Sequence, residues 1–186
     1  LDSGCRHASH KRIDLIPYLM QKGFKDFIST LQKLSMRVYK ELGDGFDEDI
    51  YQRALAYEFR KAKVKYMRET NIETFYKDQM LALRELDFLI PAQKHKSFAI
   101  KNPIIIETKY SSKIVDAHRA QLRQYLKSIP KNGSDELTEV DHGILLNWQK
   151  TNQYEEKRVT SNVKVEIEVW KYSTKGDMEL IESHQK

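Results

Sequence analysis

Between residues 98 and 148 the hydrophobic period of the chain changes twice, and that restricts its fold more than any other feature. "FAIKNPIIIETKY" (98–110) reads as a strand interrupted at Asn102-Pro103. From Lys113 to Ile129 the apolar residues Val115, Leu122, Leu126 and Ile129 form one helical stripe, which Pro130, Asn132 and Gly133 end. "HGILLNW" (142–148) is a short continuous apolar run, as in a strand buried on both faces. The three segments make a strand–helix–strand unit.

The flanks extend this unit to a whole architecture. Phe27, Leu31, Leu34 and Val38 follow helical spacing over 24–42, and "GDG" (43–45) stops the helix. A second helix is expected from about Asp47 to Ala62, then strands over 64–75 and 80–90 with a polar loop "PAQKHKS" after them. "VKVEIEVWKY" (163–172) alternates cleanly, as a strand with one wet face does. Helix, helix, three strands, helix, strand, strand is an α/β sandwich with a mixed sheet. Residues 1–23 lack sustained periodicity and hold a proline and two glycines, so they read as an irregular arm. The expected division is that arm, a core domain over 24–160, and a C-terminal extension over 161–186 with one added strand.

With 186 residues, 40% of them hydrophobic, the chain can bury one proper core. No apolar stretch approaches the roughly 20 residues of a membrane helix, so no membrane is expected as partner. Cys5 is the single cysteine, which excludes an intramolecular disulfide and is compatible with a reducing, intracellular compartment. The chain opens on Leu1, so any targeting segment is expected to lie outside it. The net charge of +5, from 32 basic and 27 acidic residues, suits an anionic partner, most commonly nucleic acid.

Chemistry gathers where apolar strands carry charge. In "IIIETKY", Glu107 and Lys109 are two apart and share one face of their strand. Taken alone the pattern is more often a solvated ion pair on an emerging strand; the alternative is a metal site in which the carboxylate holds a cation and the lysine serves a water, and partners elsewhere in the chain must decide between them. The preceding strand, "LRELDFLI", places Asp87 among Leu86, Phe88 and Ile90, where an ionised carboxylate is costly unless paired or bound to a cation. Asp87 and Glu107 on neighbouring strands would offer two hard oxygen donors to Mg²⁺ or Mn²⁺. On the following helix His118, Gln121 and Tyr125 border the apolar stripe, while Arg119, Arg123 and Lys127 form a basic stripe that is either a solvated face or a phosphate track. Glu48 and Tyr51 stand near the start of the second helix, where acids are favoured by the helix dipole.

Taken in order, these segments resemble the GxxExxY proteins of the PD-(D/E)XK nuclease superfamily. Gly45, Glu48 and Tyr51 in "GFDEDIY" match the name-giving motif, between "VYKELG" and "RALAYEF". "RELDFLI" matches the strand with the aspartate, "IIIETKY" the acid-x-lysine strand, "HRAQLRQYL" the histidine, glutamine and tyrosine helix, and "HGILLNW" the last core strand. The resemblance spans about residues 35–150. Thr108 stands where the family has an apolar residue and Trp148 where it has phenylalanine; neither is expected to disturb the metal ligands.

The resemblance implies a restriction-endonuclease-like three-layer sandwich, its mixed sheet flanked by helices, and a nuclease hydrolysing DNA by metal-activated water. It implies that Asp87 and Glu107 bind the metal, with Glu48 contacting it directly or through water. It implies that Lys109 orients or activates the attacking water and that Gln121, Tyr125 and Tyr51 serve substrate binding. The expected partner is nucleic acid, DNA before RNA, with a possible protein partner at the N-terminal arm or the C-terminal strand. A catalytically inactive nuclease-fold subunit that binds nucleic acid or protein in a larger assembly is the alternative.

Overall fold

Phe27, Leu31, Leu34 and Val38 are buried along one side of α1 (Leu15–Leu42), as their spacing predicts. The computed structural model describes residues 15–133, 135, 137, 139–151, 163–173 and 176–186, with side chains from residue 22 onward. The helix begins at Leu15, so residues 15–23 are helical and no part of an irregular arm. Pro17 obscures this in the sequence, yet it stands in the first turn, where its missing N–H has no intrahelical acceptor to lose. Residues 1–14, the rest of the expected arm, lie outside the described residues. Gly43, at φ 71°, ends the helix by returning its N–H to the Tyr39 carbonyl at 2.8 Å.

After α2 (Glu48–Ala62), β1 (Met67–Tyr76) and β2 (Gln79–Ile90) form a long antiparallel hairpin. The expected polar loop and the strand break at Asn102-Pro103 turn out to enclose a small ribbon, β3 (Gln93–Lys94) against β4 (Ala99–Ile100). Next come β5 (Ile104–Ser111), α3 (Asp116–Ser128), β6 (His142–Gln149), β7 (Val165–Tyr172) and β8 (Met178–Gln185). The main sheet has the order β1-β2-β5-β6-β7-β8, and only β5 and β6, joined through α3, run parallel. The C-terminal region thus supplies two strands where one was expected. Moreover, β7 belongs to the core: Val165, Ile167 and Val169 are fully buried.

The sheet separates two apolar layers. Phe88, Ile90, Ile104, Ile106, Ile144, Leu146 and Trp148 pack with α1 and α2, while Leu89, Ile105 and Leu145 pack with Leu122, Tyr125 and Leu126 of α3. Successive residues of β5 and β6 feed opposite layers, which is why both strands read as unbroken apolar runs. This is the three-layer sandwich expected of the chain.

One departure from regularity positions everything else. β5 pairs with β6 along its whole length, but with β2 only from Phe88/Ile106 to Ile90/Ile104. Beyond Ile106 the strands part, and the sheet forks with Asp87 on one prong and Glu107 on the other. The irregularity continues outward: between the Arg68/Phe88 and Thr70/Leu86 pairs, Glu69 on β1 takes φ 55°, a conformation uncommon for a residue with a side chain.

Candidate active site

A strand losing its neighbour leaves backbone N–H groups without acceptors, and each must find one or stay in contact with water. At the fork the acceptors are acids. The Thr108 N–H donates to Asp87 Oδ2 at 2.7 Å, and the Tyr110 N–H donates to Glu48 Oε2 at 2.9 Å. Two carboxylates from separate elements, β2 and the first turn of α2, are drawn to the open edge of β5.

Between them stand Glu107 and Lys109. Glu107 is only 2% exposed; its Oε1 accepts from Lys109 Nζ at 2.7 Å, while its Oε2 is buried without any hydrogen-bond partner. Burial, reinforced by Asp87 and opposed by Lys109, pushes the Glu107 carboxyl up to about 7. Burial also raises Glu48, against the pull of Lys109 and of the Tyr110 N–H. Lys109 Nζ lies 3.8 Å from Glu48 Oε1 as well. Burial lowers the Lys109 ammonium's pKa, but Glu107, Glu48 and Asp87 together hold it above the usual lysine value.

The α3 residues complete one wall. Gln121 Nε2 donates to the Tyr125 hydroxyl at 2.8 Å, and Tyr125 is raised by burial and, further, by the charges of Glu107 and Asp87. His118 serves the helix start: its Nδ1 accepts from the Val115 N–H at 3.3 Å, and burial together with Lys109 keeps its pKa low. The structure therefore brings Glu48, Asp87, Glu107, Lys109, Gln121 and Tyr125 to one place.

Tyr51 does not join them. It is fully buried, its hydroxyl donates to the Gly43 carbonyl at 2.8 Å, and its ring stacks on Tyr110 and Trp148 at 4.7 and 5.5 Å. With no surface to offer a substrate, its part is to anchor the α1–α2 turn. The same turn is tied to β5 by Tyr110, whose hydroxyl donates to Asp44 and accepts from the Gly45 N–H at 2.6 Å. The basic stripe on α3 is likewise committed in part: Arg119 binds the buried Glu168 through Nε and Nη2 and reaches Asp116, and Arg123 donates to the Gly176 carbonyl.

Sequence reasoning missed several polar residues of the site. Asn147, 1% exposed, accepts from the Ser111 N–H at 2.9 Å and donates to the Ser111 carbonyl at 3.0 Å, holding the end of β5. Gln52, one turn after Glu48, donates to Thr108 Oγ1 at 2.9 Å. The available signal was a polar residue inside an apolar run, as in "LLNW" and "IETK", because such a residue is costly to bury without a partner.

These residues suit a hard divalent cation. Glu48, Asp87 and Glu107 offer carboxylate oxygens, and the orphaned Glu107 Oε2 is an acceptor with nothing to accept. Among the described residues, however, no three His, Cys, Asp or Glu side chains form a ready-made metal cluster. Lys109 now supplies the positive charge, and an entering cation must share Glu107 with it.

A mixed sheet sandwiched by helices and forked at two acids, with a lysine two residues beyond the second, is a restriction-endonuclease-like nuclease fold. The match to family models agrees: the chain belongs to the PD-(D/E)XK nuclease superfamily, whose model covers residues 25–159. Neither a curated protein nor a solved structure matches the chain.

Proposed function

We propose that the chain is a divalent-metal-dependent nuclease that hydrolyses phosphodiester bonds in DNA with Mg²⁺ or Mn²⁺, and that within its superfamily it is of the GxxExxY kind. The observation that carries this reading is Glu107 Oε2, a buried carboxylate oxygen with no hydrogen bond, beside Asp87, Glu48 and Lys109. In a purely structural ion pair such an oxygen would be a cost with nothing to offset it, since an unsatisfied buried acceptor is costly.

In this reading Asp87, Glu107 and Glu48 hold the ion. A divalent cation there would polarise the phosphodiester and lower the pKa of a bound water. Lys109 orients that water and offsets negative charge at the phosphate. Gln121 and Tyr125 position the substrate backbone or the lysine. The net charge of +5 favours a polyanionic substrate.

One observation favours the second reading, an inactive nuclease-fold subunit that docks nucleic acid or protein. Tyr76, Met80, Leu81 and Leu83, near the tip of the β1–β2 hairpin, are large, apolar and exposed. Cleavage assays separate the two. Purified protein with Mg²⁺ or Mn²⁺ should cut some member of a panel of single-stranded, double-stranded and branched DNA and RNA, and EDTA should stop it. Glu107→Ala should abolish cutting while binding nucleic acid at least as well, since a negative charge near the phosphates is gone. Equal cleavage by wild type and variant, prepared identically, would sink the catalytic claim. Silence across the panel would leave the docking subunit.

A further inference from the structure

Thr108 lies between the acid and the lysine, where an apolar residue would fill the same space. It is fully buried. A buried hydroxyl is costly unless its donor and acceptor capacities are both met, and here both are met. Oγ1 donates to Asp87 Oδ2 at 2.7 Å and accepts from Gln52 Nε2 at 2.9 Å. The Thr108 N–H donates to the same Oδ2, also at 2.7 Å. Behind Gln52 stands Arg68, whose Nη2 reaches Gln52 Oε1 at 3.4 Å.

The two oxygens of Asp87 are consequently unequal. Oδ2 receives two donors from Thr108, whereas Oδ1 accepts nothing among the described residues. Two convergent donors on one oxygen fix the carboxylate plane, so the free oxygen keeps a set direction. Gln52 also belongs to α2, one turn beyond Glu48. The chain Gln52–Thr108–Asp87 therefore links the helix bearing Glu48 to the strand bearing Asp87.

We infer that Thr108, backed by Gln52, is the positioning residue for the cation: it turns Asp87 so that Oδ1 faces the ion and fixes the spacing of Asp87 from Glu48. This rests on the metal-dependent reading above. Hydrogen-bond partners of metal-ligating carboxylates commonly set affinity by about 10–100-fold.

The test is Mn²⁺ titration of the full chain, read by calorimetry and by the paramagnetic resonance of free Mn²⁺. Thr108→Val keeps shape and loses the hydroxyl; it should weaken Mn²⁺ binding by about 10-fold or more. Thr108→Ser restores the hydroxyl and should restore wild-type affinity. Gln52→Leu, which leaves the strand untouched, should weaken binding in the same direction and keeps the proposal testable if Thr108→Val fails to fold. If wild type binds Mn²⁺ and the valine variant binds it equally well, the inference falls while the metal-dependent reading stands. Equal weakening in the valine and serine variants would assign the effect to packing and overturn it too. No Mn²⁺ binding by wild type removes both.

Discussion

Glu107 keeps its proton in the folded chain at pH values where the unfolded chain has lost it, because burial first, and Asp87 second, push it from 4.5 to about 7. Between those values the native state binds more protons than the unfolded state, so stability falls as pH rises. With each pKa unit worth about 1.4 kcal/mol, the loss attributable to Glu107 is at most about 3 kcal/mol. Glu48, also raised by burial, contributes a slope of the same sign, so wild type must be compared with Glu107→Gln. In EDTA, denaturation midpoints should decline for wild type between about pH 5 and pH 8 and decline clearly less for the glutamine variant. Parallel declines would mean that Glu107 titrates as an ordinary surface acid.

At the scale of elements, α1 rests close against the β3–β4 ribbon because Gly23 has no side chain. A Cβ there would lie 2.3 Å from the backbone oxygen of Ala99, and backbone cannot swing aside as a side chain can. Gly23→Ala should therefore destabilise the protein by about 1–3 kcal/mol, the usual cost of overpacking, despite alanine's better helix propensity. A stabilised variant in urea denaturation would mean that α1 sits further from the ribbon. Elements held by their own pattern were legible in the sequence: β5, α3, β6 and β7 fall within a few residues of expectation because burial on a fixed period wrote them there. The start of α1 was hidden by Pro17, and β8 by its position as an edge strand, where Leu180 and Ile181 remain exposed and alternation fades. In the site, Asp87 and Glu107 were legible as acids among apolar residues. Thr108 and Asn147 stood out only as polar residues in apolar runs, and what they and Gln52 bind was not legible, since their partners lie 21, 36 and 56 residues away and no local spacing records them. Tyr51 shows the converse error: a motif position read as facing the substrate is a packing residue.

For the molecule as a whole, a cation that binds only the folded state stabilises it by mass action, by about 2.7 kcal/mol at a free concentration 100 times the dissociation constant. In a chain of this length that should raise the thermal midpoint by roughly 5–10 °C. Wild type should show the rise with Mn²⁺, EDTA should reverse it, and Glu107→Ala should lack it; an equal rise in that variant would place the ion elsewhere. The fork gives the acids unequal histories to carry. Asp87 and Glu48 also finish the hydrogen bonding of a strand edge, so a descendant that had abandoned chemistry would still need oxygen acceptors at both positions, and asparagine or glutamine could serve. Glu107 finishes nothing, accepts only from the lysine it opposes, and leaves one oxygen bare. In the proposed nuclease, position 107 is therefore the acid whose loss the hydrogen bonding of the strand edge would not register.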